Sequence, residues 1–257
     1  MTTAYAMSIG ALLVLPSLAN SQNVETGFLN RTLSLDDVTH RYQVYVPATY
    51  DSRARWPVIL FLHGAGERGV DGLVQTEVGL GSALRRLADR YPAIVVFPQS
   101  PPEGNWQGDS ARMALAALDR ALAEFRTDTS RVYLTGLSMG GNGAWHIAYH
   151  HGERFAAVVV ICGFVMARGP FPGIVPNDLE DPYKAVAARV KSVPVWIVHG
   201  EADPVVPVSE SRRMHEALLA AGAEVHYEEL AGVGHNAWDA AYSSPELAEW
   251  LFDKARR

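Results

Sequence analysis

Apolar positions in this chain recur in two alternating rhythms. Arg41 to Val46 alternates apolar and polar residues at a period of two and is read as an early antiparallel strand with one covered face. Trp56 to Leu62 and Ala93 to Phe97 are instead continuously apolar, as strands buried on both faces of a parallel sheet must be. Similar strand patterns fall at Arg131 to Thr135, Ala157 to Cys162, Val193 to Val198 and Val225 to Leu230. Between these runs the period lengthens to that of a helix. Asp109 and Ser110 are expected to cap one helix, with Leu115, Leu118, Leu122 and Phe125 on a single face. Another opens at Ser209 and stops at Gly222, and Ser244-Pro245-Glu246 starts the last, with Leu247, Trp250 and Leu251 inward. Strands alternating with helices predict an α/β fold, a doubly wound and mostly parallel sheet with helices on both faces.

One segment breaks the alternation. Gly163 to Pro182 contains Gly169-Pro170-Phe171-Pro172-Gly173, which cannot hold a stable helix. It is too short for a large cap domain, so an open cleft is expected, shaped by this loop and by Pro101 to Trp106.

Composition narrows the classes of function. The 257 residues are 48% hydrophobic and 19% charged, enough for one α/β domain with an ample core. A net charge of -6 argues against nucleic acid or an anionic membrane surface as a partner, since both demand a basic face. A single cysteine, Cys162, leaves no intramolecular disulfide to form, and its apolar surroundings fit a small buried hydrophobe.

The N-terminal segment points to export. Ala6 to Leu18 is apolar but too short to span a bilayer, and Ser17-Leu18-Ala19-Asn20 sets small residues around a cut after Ala19. Residues 1–19 are therefore expected to be a signal peptide, although no Lys or Arg precedes the apolar run, and 20–257 a single α/β domain. A secreted or periplasmic location follows from that reading.

The chemistry centres on Gly136-Leu137-Ser138-Met139-Gly140, which follows a strand pattern and precedes a helix start. A serine at so sharp a strand-to-helix turn has its hydroxyl held out at the top of the sheet, and only small residues fit at 136 and 140. The helix N-terminus behind it directs free N–H groups at a developing oxyanion. Such a nucleophile needs a base, and the base a carboxylate. Asp203 in the loop after Val193 to Val198 and His235 after Val225 to Leu230 come in the chain order serine, acid, histidine. Their spacing leaves about one or two strand–helix units between neighbours, which brings all three to one sheet edge.

Other titratable residues are read more plainly. Glu201 is a solvated group or local cap, Asp239 a charge in the first turn of the last helix, and His199 a hydrogen-bonded core histidine. His146 and His150 have helical metal-ligand spacing, but no third ligand stands near, so these and His151 are read as solvated or capping, and no metal is expected. The glycine-rich His63-Gly64-Ala65-Gly66 after the Trp56 to Leu62 run is expected to supply the second oxyanion donor, the N–H of Ala65 joining that of Met139. Trp106 and Trp238 fall in segments expected near Ser138, where either could stack on a substrate or pack in the core.

Together, Leu62 to Gly69, Gly136 to Gly141, His199 to Pro207 and Gly234 to Trp238 resemble the exported serine-esterase branch of the α/β-hydrolase superfamily. That branch includes feruloyl-esterase-like and polyhydroxyalkanoate-depolymerase-like enzymes, some labelled predicted peptidases. The resemblance covers about residues 25–253. It implies Ser138 as nucleophile, Asp203 as acid and His235 as base. The expected activity is hydrolysis of a small or polymeric carboxylic ester, of short-acyl, aryl or feruloyl type, with no cofactor. Three other functions share the fold: a serine peptidase, a lipase or polyester depolymerase, and an inactive binding protein, against which the intact serine, acid and histidine argue.

Overall fold

The computed structural model describes Met1 and residues 24–176 and 178–256; the expected signal segment lies outside the described residues. Among these residues eight strands form one sheet: β1 (Gly27–Leu35), β2 (Val38–Val46), β3 (Trp56–Leu62), β4 (Ile94–Pro98), β5 (Thr127–Leu137), β6 (Ala157–Ile161), β7 (Val195–Gly200) and β8 (Val225–Leu230). Their order is β1-β2-β4-β3-β5-β6-β7-β8. The hairpin β1–β2 adds antiparallel to β4, and every pairing from β4 through to β8 is parallel.

Among the described residues seven α-helices cover the sheet: α1 (Leu80–Leu87), α2 (Gly108–Glu124), α3 (Met139–His151), α4 (Pro182–Val190), α5 (Ser209–Ala220), α6 (Trp238–Ser243) and α7 (Pro245–Asp253). The strand period of two sorts residues between the two faces. Val58, Leu60 and Leu62 of β3 join a core with Met113 and Leu118 of α2, Ile147 of α3, Val186 of α4 and Met214 of α5. Ile59 and Phe61, their neighbours in sequence, face the other way, onto Leu80 of α1, Tyr242 of α6 and Leu251 of α7. This is the doubly wound α/β-hydrolase arrangement, and the described residues of the 163–181 segment contain no helix.

The chain leaves β3 toward β4 on one side and returns past it to β5 on the other, so adjacent β3 and β5 run to opposite neighbours. A crevice opens beyond the carboxyl ends at such a switch point. The loops after β3, β5, β7 and β8 all lie there.

Two local expectations change. Asp109 and Ser110 do not cap α2, which begins at Gly108 behind Gln107 with no side-chain cap. Gly108 has φ +53°, a conformation glycine adopts freely, and this turns the chain into the helix in place of a capping side chain. Asp239 sits in the first turn of α6, a short helix that precedes the last one. Ser244 does cap α7, accepting from the N–H of Leu247, with Pro245 at the first helical position.

Candidate active site

Strand β5 runs straight into α3 through Ser138, whose φ of 53° and ψ of −117° lie in the region disfavoured for a side-chain-bearing residue. A Cβ at Gly136 would collide with the Gly140 carbonyl, and one at Gly140 with the carbonyls of Leu62 and His63. The backbone therefore crosses itself at the only separation two glycines permit. That turn lifts the Ser138 hydroxyl off the sheet edge.

His235 follows β8 and Asp203 follows β7. The His235 Nε2 lies 2.9 Å from Ser138 Oγ and its Nδ1 lies 2.6 Å from Asp203 Oδ2. The imidazole is 18% exposed and the Asp203 carboxylate fully enclosed. Because Nδ1 faces a carboxylate it carries the proton, which leaves the Nε2 lone pair directed at the serine. Burial would by itself raise the Asp203 carboxyl. Hydrogen bonds from His235 and from the N–H groups of Val206 and Val205 outweigh it and hold the group below its usual value. Those two amides lie 2.9 and 2.8 Å from Oδ1. Glu201 is exposed and accepts from the N–H of Gly232 at 3.0 Å, tying two loops together away from the histidine.

Met139 is the first residue of α3 and Ala65 the first of a short 3-10 turn, Ala65–Glu67. N–H groups at first helical positions have no intrahelical acceptor. The preceding Gly64 abuts the serine: a Cβ there would lie 3.8 Å from Ser138 Cβ. His63 supports this loop from below. Its Nδ1 meets the Gly64 carbonyl at 2.6 Å, and its Nε2 accepts from the N–H of Ser100 at 3.0 Å. Burial pushes the imidazole down to about 4 and keeps it neutral.

Of the two alternatives for Trp106, stacking on substrate or packing in the core, its burial matches the second. It is 0% exposed, wedged between the loop after β3 and α3, and its Nε1 donates to the His63 carbonyl at 2.8 Å. A ring with no accessible face cannot receive a ligand, so Trp106 is part of the scaffold under the site. Trp238 is half-buried at the start of α6, its ring edge-on to His235 with centroids 5.2 Å apart. His146 is half-buried rather than solvated, and burial pushes it down to about 4. Among the described residues, ligand-type atoms of Cys162, His199 and Asp203 come within 4.8 Å of one another. Each is already engaged: the Cys162 thiol, pushed by burial up to about 12, meets the His235 carbonyl at 3.3 Å, and the other two are hydrogen-bonded.

Several residues that shape the site carry no motif. Glu210 in the first turn of α5 is buried and accepts from the N–H groups of Val165 and Met166 at 2.8 and 3.4 Å. Asn142 on α3 donates to the carbonyls of Phe164 and Pro172, and Gln107 reaches those of Pro172 and Gly173. These contacts fasten the 163–176 loop to the body of the protein. A buried polar residue one helical turn behind a catalytic loop was the only signal available for them.

A doubly wound sheet with a serine at the β5–α3 turn, and a histidine and carboxylate on the next loops, defines the α/β-hydrolase class. Within it, residues 37–245 match the Esterase family, described as "Putative esterase", and the chain belongs to that family. A stretch of 211 residues is 26% identical to the "Uncharacterized secreted protein" of Arthroderma benhamiae, covering 72% of this chain and 22% of that protein. A stretch of 182 residues is 25% identical to the "Probable acetylxylan esterase A" of Aspergillus clavatus, covering 65% of this chain and 55% of that protein. The chain thus spans well under two thirds of either curated relative. Among solved structures, "Crystal Structure of a Thermostable Esterase" superposes with a TM-score of 0.74 at 31% identity, covering 89% of this chain and 63% of that one.

Proposed function

We propose that the protein is a serine carboxylesterase in which Ser138 is the nucleophile, His235 the general base and Asp203 the acid. The observation that carries this reading is the continuous hydrogen-bonded path from Ser138 Oγ through His235 to the enclosed Asp203 carboxylate. As Ser138 attacks the ester carbonyl, His235 Nε2 takes the hydroxyl proton, and Asp203 stabilises the imidazolium without being protonated. The N–H groups of Met139 and Ala65 hold the oxyanion, each donor contributing ~2.7–4 kcal/mol of transition-state stabilisation by analogy with a measured case. The alcohol departs with the proton from His235, leaving an acyl-enzyme. Water, activated by the same imidazole, then releases the acid.

Ester cleavage is favoured over amide cleavage by family membership and by the chain's likeness to esterases. The fastened 163–176 loop supports an open groove over a lid, and with it a short-acyl or aryl ester, small or at the end of a polymer. The small residues before Asn20 and the relative named as secreted support export. No helix among the described residues is long and apolar enough to cross a membrane.

The test is a panel of p-nitrophenyl esters from acetate to palmitate, methyl ferulate, a polyester and a peptide anilide, run on wild type and Ser138→Ala. The variant should lose ~10⁴–10⁶-fold in kcat and all labelling by a fluorophosphonate. Labelling retained in Ser138→Ala would move the nucleophile elsewhere. Peptide anilide hydrolysed faster than every ester would make the enzyme a peptidase.

A further inference from the structure

His199 ends β7, and its side chain is fully enclosed, as is that of Asp203 four residues on. Its Nδ1 lies 2.6 Å from Ser211 Oγ in the first turn of α5. Its Nε2 lies 3.0 Å from the Val206 carbonyl and 3.2 Å from Asp203 Oδ2. A carbonyl and a carboxylate can only accept, so Nε2 bears the proton, and Nδ1 accepts from the Ser211 hydroxyl. Burial pushes the imidazole below its usual range, so the ring stays neutral with a single N–H. That one proton is directed at the Val206 carbonyl, while the same edge of the ring lies 3.2 Å from the carboxylate oxygen that receives His235 Nδ1.

We propose that His199, oriented by Ser211, is a positioning residue that fixes the Asp203 carboxylate for His235. The inference rests on Asp203 being the acid of the proposed esterase. Three hydrogen-bond donors and the edge of the His199 ring surround this carboxylate. The amides of Val205 and Val206 hold Oδ1, while the two imidazoles meet at Oδ2. The amides alone leave the group free to tilt about the axis through Oδ1. The edge of the His199 ring, 3.2 Å from Oδ2, restricts that freedom and keeps the outer oxygen aimed at His235. A histidine serving only to fill the core would be satisfied by Val206 and Ser211; the third contact, to the oxygen that orients the base, is what a packing role does not require. The chain from α5 to the nucleophile is then Ser211, His199, Asp203, His235 and Ser138, with proton transfer confined to its last two members.

The test measures kcat and KM on p-nitrophenyl acetate for His199→Phe, His199→Gln, Ser211→Ala, Asp203→Asn and the His199→Phe/Asp203→Asn pair. His199→Phe should lower kcat by about 10- to 100-fold with KM unchanged, because an ångström of misplacement costs about a hundredfold. The amide of His199→Gln can present an N–H to the same oxygen and should recover most of that loss. In the Asp203→Asn background, His199→Phe should add nothing further, since the group it orients has already lost its charge. If His199→Phe does not fold, Ser211→Ala carries the test, with a loss of about threefold in kcat at constant KM expected from a ring that has lost its outer partner. Full kcat in the folded variants, with only a lower melting temperature, would overturn the proposal. So would losses that multiply with Asp203→Asn. An Asp203→Asn enzyme of full activity would remove the acid assignment and this inference together, whereas a crippled Asp203→Asn beside an unaffected His199→Phe would remove this inference alone.

Discussion

The indole N–H of Trp106 donates to the carbonyl of His63 at 2.8 Å, and the two rings meet edge-on with centroids 4.8 Å apart. Trp106 thereby braces the loop that brings Gly64 against Ser138. Trp106→Ala should destabilise the protein by about 3–5 kcal/mol, as large aromatic truncations in cores do. Activity should fall equally on methyl ferulate and on a short alkyl ester. Thermal unfolding and a two-substrate assay check both; a loss confined to the aryl ester would return Trp106 to substrate contact.

Asp203→Asn should reduce kcat by up to ~10⁴-fold, the size seen when a triad aspartate becomes asparagine. Glu201→Gln should leave turnover within about twofold, because its carboxylate serves only a surface tie to Gly232. Steady-state kinetics on one ester distinguish the two, and the reverse result would make Glu201 the acid.

His63 and His146 are both pushed by burial down to about 4, below the unfolded value near 6.5. Between those limits the unfolded chain binds protons that the folded protein does not. Stability should therefore be fully present above pH 6.5 and decline as the pH falls toward 4. His63, wholly enclosed, accounts for on the order of 2–3 kcal/mol of that decline. Urea unfolding at several pH values measures it, and His63→Gln should flatten the curve if the variant folds.

Cys162 is enclosed at the end of β6 and its thiol is pushed up to about 12. Native protein should resist a thiol reagent at neutral pH and react fully once unfolded in guanidinium. Rapid labelling of the folded protein would mean that the loop around His235 opens.

Glu210→Ala should leave the amides of Val165 and Met166 unpaired, at a cost of about 1–3 kcal/mol. Wild type should show no jump in rate when a substrate passes its solubility limit. A jump on emulsified long-chain esters would identify the 163–176 loop as a working lid.

The site was readable where backbone geometry forces residue type. Gly136 and Gly140 are imposed by a collision, Asp203 follows an apolar strand, and His235, behind the mixed and half-buried β8, was found from the chain order serine, acid, histidine. Strand β1 could not be found that way, because it is a half-covered antiparallel edge whose burial follows no clean alternation. Helices α1 and α6 have eight and six residues, and periodicity needs more turns than they have. Trp106 misled because Pro101 to Asn105 read as surface loop, whereas φ of +60° at Trp106 turns its ring back into the protein. His199 was legible as a hydrogen-bonded core histidine, but its tie to Ser211 was not, since that depends on α5 closing over the end of β7.

The first turn of α5 sends Glu210 to the loop that walls the groove and Ser211 to the imidazole beside the acid. For redesign, this divides the 163–176 loop into a part that can be exchanged and a part that cannot. The hydrogen bonds of Glu210 go to Val165 and Met166, so residues 169–171 can be rewritten for a new acyl or alcohol group with those two kept as the graft points and the Arg168 bond to the Val205 carbonyl preserved. A graft that displaces Val165 and Met166 pulls on the helix turn that holds His199, so under the role proposed for that residue its cost will be read in turnover on every substrate, old and new alike.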